Sequence, residues 1–167
     1  MLPSDHPDFF RRPPPDGRSR ESSIVLDGEG QFWHEGERVL HRGMQRAFSC
    51  WIARHPDDGR YVLSNGYDWS YFRVDDVPFF VNGVLGKADR LMLSLSDGSE
   101  EELSPETLRT GAREAIYCRV KGQRFDARFS PSAQASLVAY VATTPEGELG
   151  LQIGAEVYPI AGAGRTC

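Results

Sequence analysis

The sequence predicts an α+β fold of two related units packed together, each a strand hairpin, a helix and a second hairpin. Three observations carry this. Apolar residues alternate over short stretches closed by glycine turns. Two stretches, around Met44 to Ile52 and Leu137 to Val141, switch to helical spacing. The order of these signals then recurs in the second half.

The elements follow in order. Residues 1–22 contain "RRPPPDGRSR", in which Pro13, Pro14 and Pro15 forbid a regular helix. Arg11, Arg12, Arg18 and Arg20 are offset by Asp5, Asp8, Asp16 and Glu21, so this stretch is expected as a flexible leader. The alternative is an arm that packs Phe9 and Phe10 onto the domain. The first unit is expected over 23–86. "SIVLDGEGQFWHEGERVL" reads as three strands, with Asp27-Gly28 and Glu35-Gly36 as turns. "HRGMQRAFSCWIARHP" reads as a helix stopped by Pro56, and two strands flank Asn65-Gly66. The second unit is expected over 87–167. It begins with the strand "LMLSLSDG" and continues through an acidic connection with a helical turn at Ser104, Pro105 and Glu106. A hairpin about Lys121-Gly122, a helix in "PSAQASLVAYVA" and two strands in "ELGLQIGAEVYPI" follow.

The halves rhyme locally. "HEGERV" (His34 to Val39) matches "VKGQRF" (Val120 to Phe125), and "GRYVLSNG" matches "GELGLQIG". Each unit alone would leave an apolar face uncovered, so the pair is expected to share a seam, a usual place for a ligand.

Composition narrows the function. At 40% hydrophobic and 26% charged the chain is ordinary for a globular protein, and a net charge of −5 gives no general drive toward nucleic acid or anionic lipid. No apolar run reaches the roughly 18 residues that cross a bilayer. The N-terminus lacks a basic segment followed by an apolar one, so no secretory signal is expected. Cys50, Cys118 and Cys167 form no CxxC and read as reduced thiols of a cytoplasmic protein.

No phosphate-loop, dinucleotide, zinc-protease or hydrolase motif is present, so neither catalytic residues nor a cofactor or metal is expected. Asp75 and Asp76, in "YFRVDDVPFF", diverge if the strand continues through them, which excludes a shared proton or metal. Pro78 ends that strand. One aspartate then caps the turn while the other pairs with a cation such as Arg73, or one of them accepts a ligand hydroxyl or amine. Arg42 and Arg46 are four apart on the first helix and Arg128 lies on the second-half hairpin; guanidinium forks there suit a phosphate or carboxylate. Trp69 or Phe79 is the candidate stacking ring, although core is the ordinary role of each.

The ordered set "DGEGQFWHEGERVLHRGMQRAF", "DGRYVLSNG", "FRVDDVPFFV", "LSLSDGSEEEL", "YCRVKGQRFDARFSPSAQASLVAYV" and "LGLQIGAEVYPI" resembles the bacterial domain-of-unknown-function family 1285 over about Ser23 to Ile160. The resemblance implies two repeated α/β units, the second similar to a pleckstrin-homology domain. It also implies a cytoplasmic location, no established activity, and a nucleotide-like ligand at the interface of the units in a signalling role. Val74 to Phe79, Arg42 and Arg128 take the family's matching positions. Tyr67-Asp68-Trp69 stands where the family has an acid-Lys pair, which puts ligand binding through that lysine in doubt. The expected function is therefore non-enzymatic sensing of a small, nucleotide-like anion, with no nucleic-acid or membrane partner. The alternative is a protein-interaction module that offers the edge of "ELGLQIGAEVYPI" to a protein partner, and an enzyme ranks third.

Overall fold

A computed structural model describes residues 1–162, so Cys167 lies outside the described residues. The chain divides into two compact units, Met1–Asp76 and a second that begins at Val77. The expected boundary after residue 86 falls inside a strand, Phe79–Lys87. Gly83 and Gly86 interrupt the apolar pattern of that strand and hid it. A Cβ at Gly86 would meet the Tyr140 hydroxyl, so that side chain lies close over the strand at this glycine.

Unit 1 contains β1 (Glu21–Leu26), β2 (Phe32–His34), β3 (Glu37–Arg38), α1 (Arg42–Trp51), β4 (Ile52–Arg54), β5 (Tyr61–Ser64) and β6 (Trp69–Val74). They form one sheet in the order β3-β2-β1-β6-β5-β4. β1 and β6 run parallel and every other pair is antiparallel. Local chemistry sets the turns. Asp27 Oδ1 accepts the N–H groups of Glu29 and Gln31, both at 2.9 Å. Glu35 and Gly36 both take positive φ, 52° and 78°, as a two-residue hairpin turn requires. His41 Nδ1 accepts the Met44 N–H and caps α1.

The helix is shorter than expected. Ile52 turns to extended geometry and pairs with Leu63, so the chain passes from α1 straight into β4. Met44, Phe48, Trp51 and Ile52 fit helical spacing, but Ile52 buries its branched side chain better on the sheet. Phe48 of α1 packs edge-on to Phe32 at 5.3 Å and covers one face of the sheet. The leader is seated rather than flexible. Phe9 is 2% exposed and packs with Val62 and Trp69, with Phe10 beside them, so of the two readings the packed arm is the one found.

Unit 2 contains β7 (Phe79–Lys87), β8 (Arg90–Leu95), β9 (Glu100–Glu102), β10 (Arg109–Thr110), β11 (Ile116–Val120), β12 (Phe125–Phe129), α2 (Pro131–Ser136), β13 (Val141–Thr143), β14 (Leu149–Ile153) and β15 (Glu156–Pro159). One sheet has the order β10-β11-β12-β7-β8-β9, and β13-β14-β15 form a small second sheet. The helix expected in "PSAQASLVAYVA" is α2 followed by a 3-10 turn over Leu137–Tyr140, after which Val141 begins a strand. The turn expected at Ser104 is a 3-10 turn over Pro105–Thr107.

The two six-stranded sheets repeat one topology. In each, three antiparallel strands are followed by three more, and the first and sixth lie side by side and parallel at the centre. The units are therefore related, but not by the equivalences that the rhyme proposed. β2–β3 corresponds in topology to β8–β9, not to the hairpin about Lys121, and α1 corresponds to the 3-10 turn at Pro105. Glycine turns recur at similar spacing in any short hairpin, and that spacing set the rhyme. Among the described residues, no helix is long and apolar enough to cross a membrane.

Candidate functional site

The expected ligand residues fall into different settings. Trp69 is 6% exposed; its Nε1 donates to the Phe9 carbonyl at 3.3 Å and the Arg20 guanidinium lies 4.3 Å from its ring centroid. Phe79 is 3% exposed and packs edge-on to Phe125 at 5.3 Å. Both are buried rings in the cores of their own units. Arg42 and Arg46 lie exposed on α1. Asp75 Oδ1 accepts from Arg73 Nε at 2.9 Å, the pairing expected under the simpler reading, and its N–H donates to the Leu26 carbonyl. Asp76 is exposed at the end of unit 1. Arg128 lies on β12 of unit 2, between Tyr117 of β11 and Phe80 of β7.

In unit 1, Asp75 borders a trough that the sequence reading did not assemble. Strand register builds it. Trp33 pairs with Arg38 on one side and with Val25 on the other, and Val25 pairs with Arg73. Directly paired residues project to the same face of a sheet. A row of Arg38, Trp33, Val25 and Arg73 therefore crosses four strands, with an indole between two guanidinium groups. Phe32, the neighbour of Trp33, points the other way toward α1, so Arg42 and Arg46 lie on the opposite face from this row. The trough, lined by Ser23, Val25, Asp27, Trp33, Arg73 and Asp75 with Gly36 at its rim, has a volume of about 380 Å³.

Its electrostatics are only partly internal. Trp33 Nε1 donates to Asp27 Oδ2 at 2.8 Å, which fixes the indole. Burial pushes the Asp27 carboxyl up, but hydrogen bonds from Trp33 and from the N–H groups of Gln31 and Glu29 outweigh it and hold the group below the usual range. Arg38 donates to neutral Gln31 Oε1 at 3.0 and 2.7 Å, and its charge also acts on the Asp27 carboxylate and helps to lower its pKa. Arg73 spends Nε on Asp75, and its side chain is 71% exposed. The arrangement can hold a flat group on the indole and an anionic group on a guanidinium. The sequence signal was the alternation of Tyr71 and Arg73 along β6 and Asp75 just past its end, which places polar residues on one face.

Among the described residues, no group of three or more His, Cys, Asp or Glu side chains is placed to hold a metal ion. Cys118 is fully buried, and burial pushes its thiol up to about 12, while Cys50 is exposed. A C50S/C167S variant should therefore resist a thiol reagent at about pH 8 until it is unfolded in denaturant. Rapid labelling of the native variant would contradict this burial.

No known family model matches the sequence, and no curated protein matches it. Two solved structures share the fold. A DUF1285 family protein from Silicibacter pomeroyi DSS-3 matches with a TM-score of 0.69 at 19% identity, over 93% of this chain and 87% of that one. A DUF1285 family protein from Shewanella baltica OS155 matches with a TM-score of 0.58 at 14% identity, over 72% of this chain and 94% of that one. At these identities the likeness is one of fold, and it agrees with the resemblance that the sequence carries.

Proposed function

We propose that the chain is a non-enzymatic sensor of a small, flat, anionic molecule, a nucleotide-like one being the best fit to its chemistry. The proposed seat is the unit 1 trough, in place of the seam expected from the sequence. One observation carries the reading: Arg38, Trp33, Val25 and Arg73 form an unbroken row across four strands. These groups hold a ligand without transforming it.

A thermal-shift series with AMP, ATP and inorganic phosphate tests the reading. Ligand at about 100 times its Kd should stabilise the native chain by about 2.7 kcal/mol. Arg73→Ala should weaken the binding at least tenfold, while Arg42→Ala should leave it unchanged. The proposal fails if no anion raises the melting temperature, or if the shift survives both Arg73→Ala and Trp33→Ala.

The second reading is a protein-interaction module. It is favoured by β15, which stands at the edge of its three-stranded sheet and can extend that sheet with a partner strand.

A further inference from the structure

The face of the unit 1 sheet that carries the trough has a second half, over β4, β5 and β6, and there the chain seats a segment of itself. Phe9 packs against Val62 and Trp69, with Ala53 and Tyr71 at the margin. The Phe10 ring meets His55 edge-on at 5.9 Å and Trp69 at 5.7 Å. Arg11 forks onto Asp57, Nε to Oδ2 at 3.0 Å and Nη2 to Oδ1 at 2.7 Å. The backbone is read as well. The Phe9 carbonyl accepts from Trp69 Nε1. His55 Nδ1 accepts the Asp57 N–H at 3.2 Å, which leaves the proton on Nε2 to donate to the Phe10 carbonyl at 3.0 Å. Three successive side chains and two carbonyls thus each have a partner on the sheet or on the turn that follows β4. The segment is a 3-10 turn over Phe9–Arg11, so the pattern reads a short turn of peptide side chain by side chain and does more than fill a core.

The seated segment lies outside the strands that receive it. The receiving groups all belong to the sheet and the turn that follows β4. The donor segment joins β1 through residues 12–20, in which Pro13 to Gly17 enter no strand and are largely exposed while Arg20 ties the Arg12 and Pro13 carbonyls to Asp68.

We propose that this half-face is a peptide-recognition groove for segments with two adjacent aromatic residues followed by arginine. The chain's own Phe9-Phe10-Arg11 occupies the groove in cis, and a partner protein carrying a segment of that chemistry displaces it. The groove stands independently of the trough, and its test uses no anionic small molecule. A tethered occupant acts at an effective concentration of about millimolar, so the free peptide must bind wild type weakly and an arm-disabled chain better.

The experiment uses the full chain carrying F9A/F10A and a labelled peptide with the sequence of residues 6–12, HPDFFRR. The peptide should raise the lowered melting temperature of the variant back toward wild type, and a peptide with both phenylalanines replaced by alanine should not. Should the double variant not fold, Phe10→Ala alone serves, read by anisotropy. It should bind the peptide roughly tenfold more tightly than wild type. Asp57→Arg in that background should abolish binding, and a peptide with glutamate at the Arg11 position should restore it. Absence of binding to the folded variant at about 1 mM peptide, equal rescue by the alanine peptide, or equal affinity for wild type overturns the proposal.

Discussion

Replacing Arg20 by alanine should destabilise unit 1 by about 2–4 kcal/mol, read as the shift in urea midpoint by tryptophan fluorescence. Arg20 is the clamp that closes the arm onto the sheet, and its side chain is 15% exposed. Nη1 donates to Asp68 Oδ1 at 2.6 Å and to the Trp69 carbonyl at 2.7 Å. Nη2 donates to the Arg12 and Pro13 carbonyls at 3.1 and 3.0 Å. Truncation leaves all four acceptors short of a donor and removes the cation stacked on Trp69. Two features hold the loss below that of a fully buried ion pair. The Asp68 side chain is 50% exposed and recovers water, and Arg20 Nε is already buried without a partner in the native state. Arg20→Lys keeps the charge but not the planar fork, so it should recover less than half of the loss. An Arg20→Ala chain that unfolds at the wild-type midpoint would show that the clamp contributes nothing.

Arg20 also shows what the sequence could and could not convey. The strands of unit 1 were legible because their turns carry local chemistry at Asp27, Glu35-Gly36 and Asn65-Gly66. The seated arm was legible only as an alternative. Proline and charge are local signals of disorder, whereas the contacts that overrule them reach Asp57, Asp68 and Trp69, far along the chain. β7 was missed because Gly83 and Gly86 within it read as a loop. The duplication was legible as an idea and misaligned in detail, since turn glycines mark hairpins without saying which hairpin is which. Asp75 was named, but not its row. The row depends on the parallel pairing of Val25 with Arg73, and no local pattern reports which distant strands will pair. Trp69 and Phe79 were assigned to a ligand because aromatic identity does not reveal burial.

In unit 2, Lys121→Met should cost about 2–3 kcal/mol at pH 7, between the values typical of exposed and buried charge pairs. Lys121 sits at positive φ in the β11–β12 turn and reaches across to the β8–β9 turn. Its Nζ donates to Asp97 Oδ2 and to Ser99 Oγ, each at 2.6 Å, and the Ser99 hydroxyl donates to Asp97 Oδ1 at 2.6 Å. The two charged side chains are 24% and 12% exposed, so water replaces little of what is lost. Burial pushes the Asp97 carboxyl up, but the hydrogen bonds from Lys121 and Ser99 outweigh it and hold the group below its ordinary range. The sign of the pH dependence follows. A carboxylate with a lowered native pKa contributes stability above its unfolded value of about 4, and that stability is lost as the pH falls through the native value. The difference between wild type and Lys121→Met should therefore be largest near neutrality and shrink in acid below about pH 4. Methionine matches the stem of lysine in length and keeps its packing over Phe79, so the loss reports the charge and its bonds. A difference that stays constant from neutral to acidic pH would assign the effect to packing instead. Asp97→Ala combined with Lys121→Met should cost less than the sum of the two single losses, because either change alone breaks the same link between the turns.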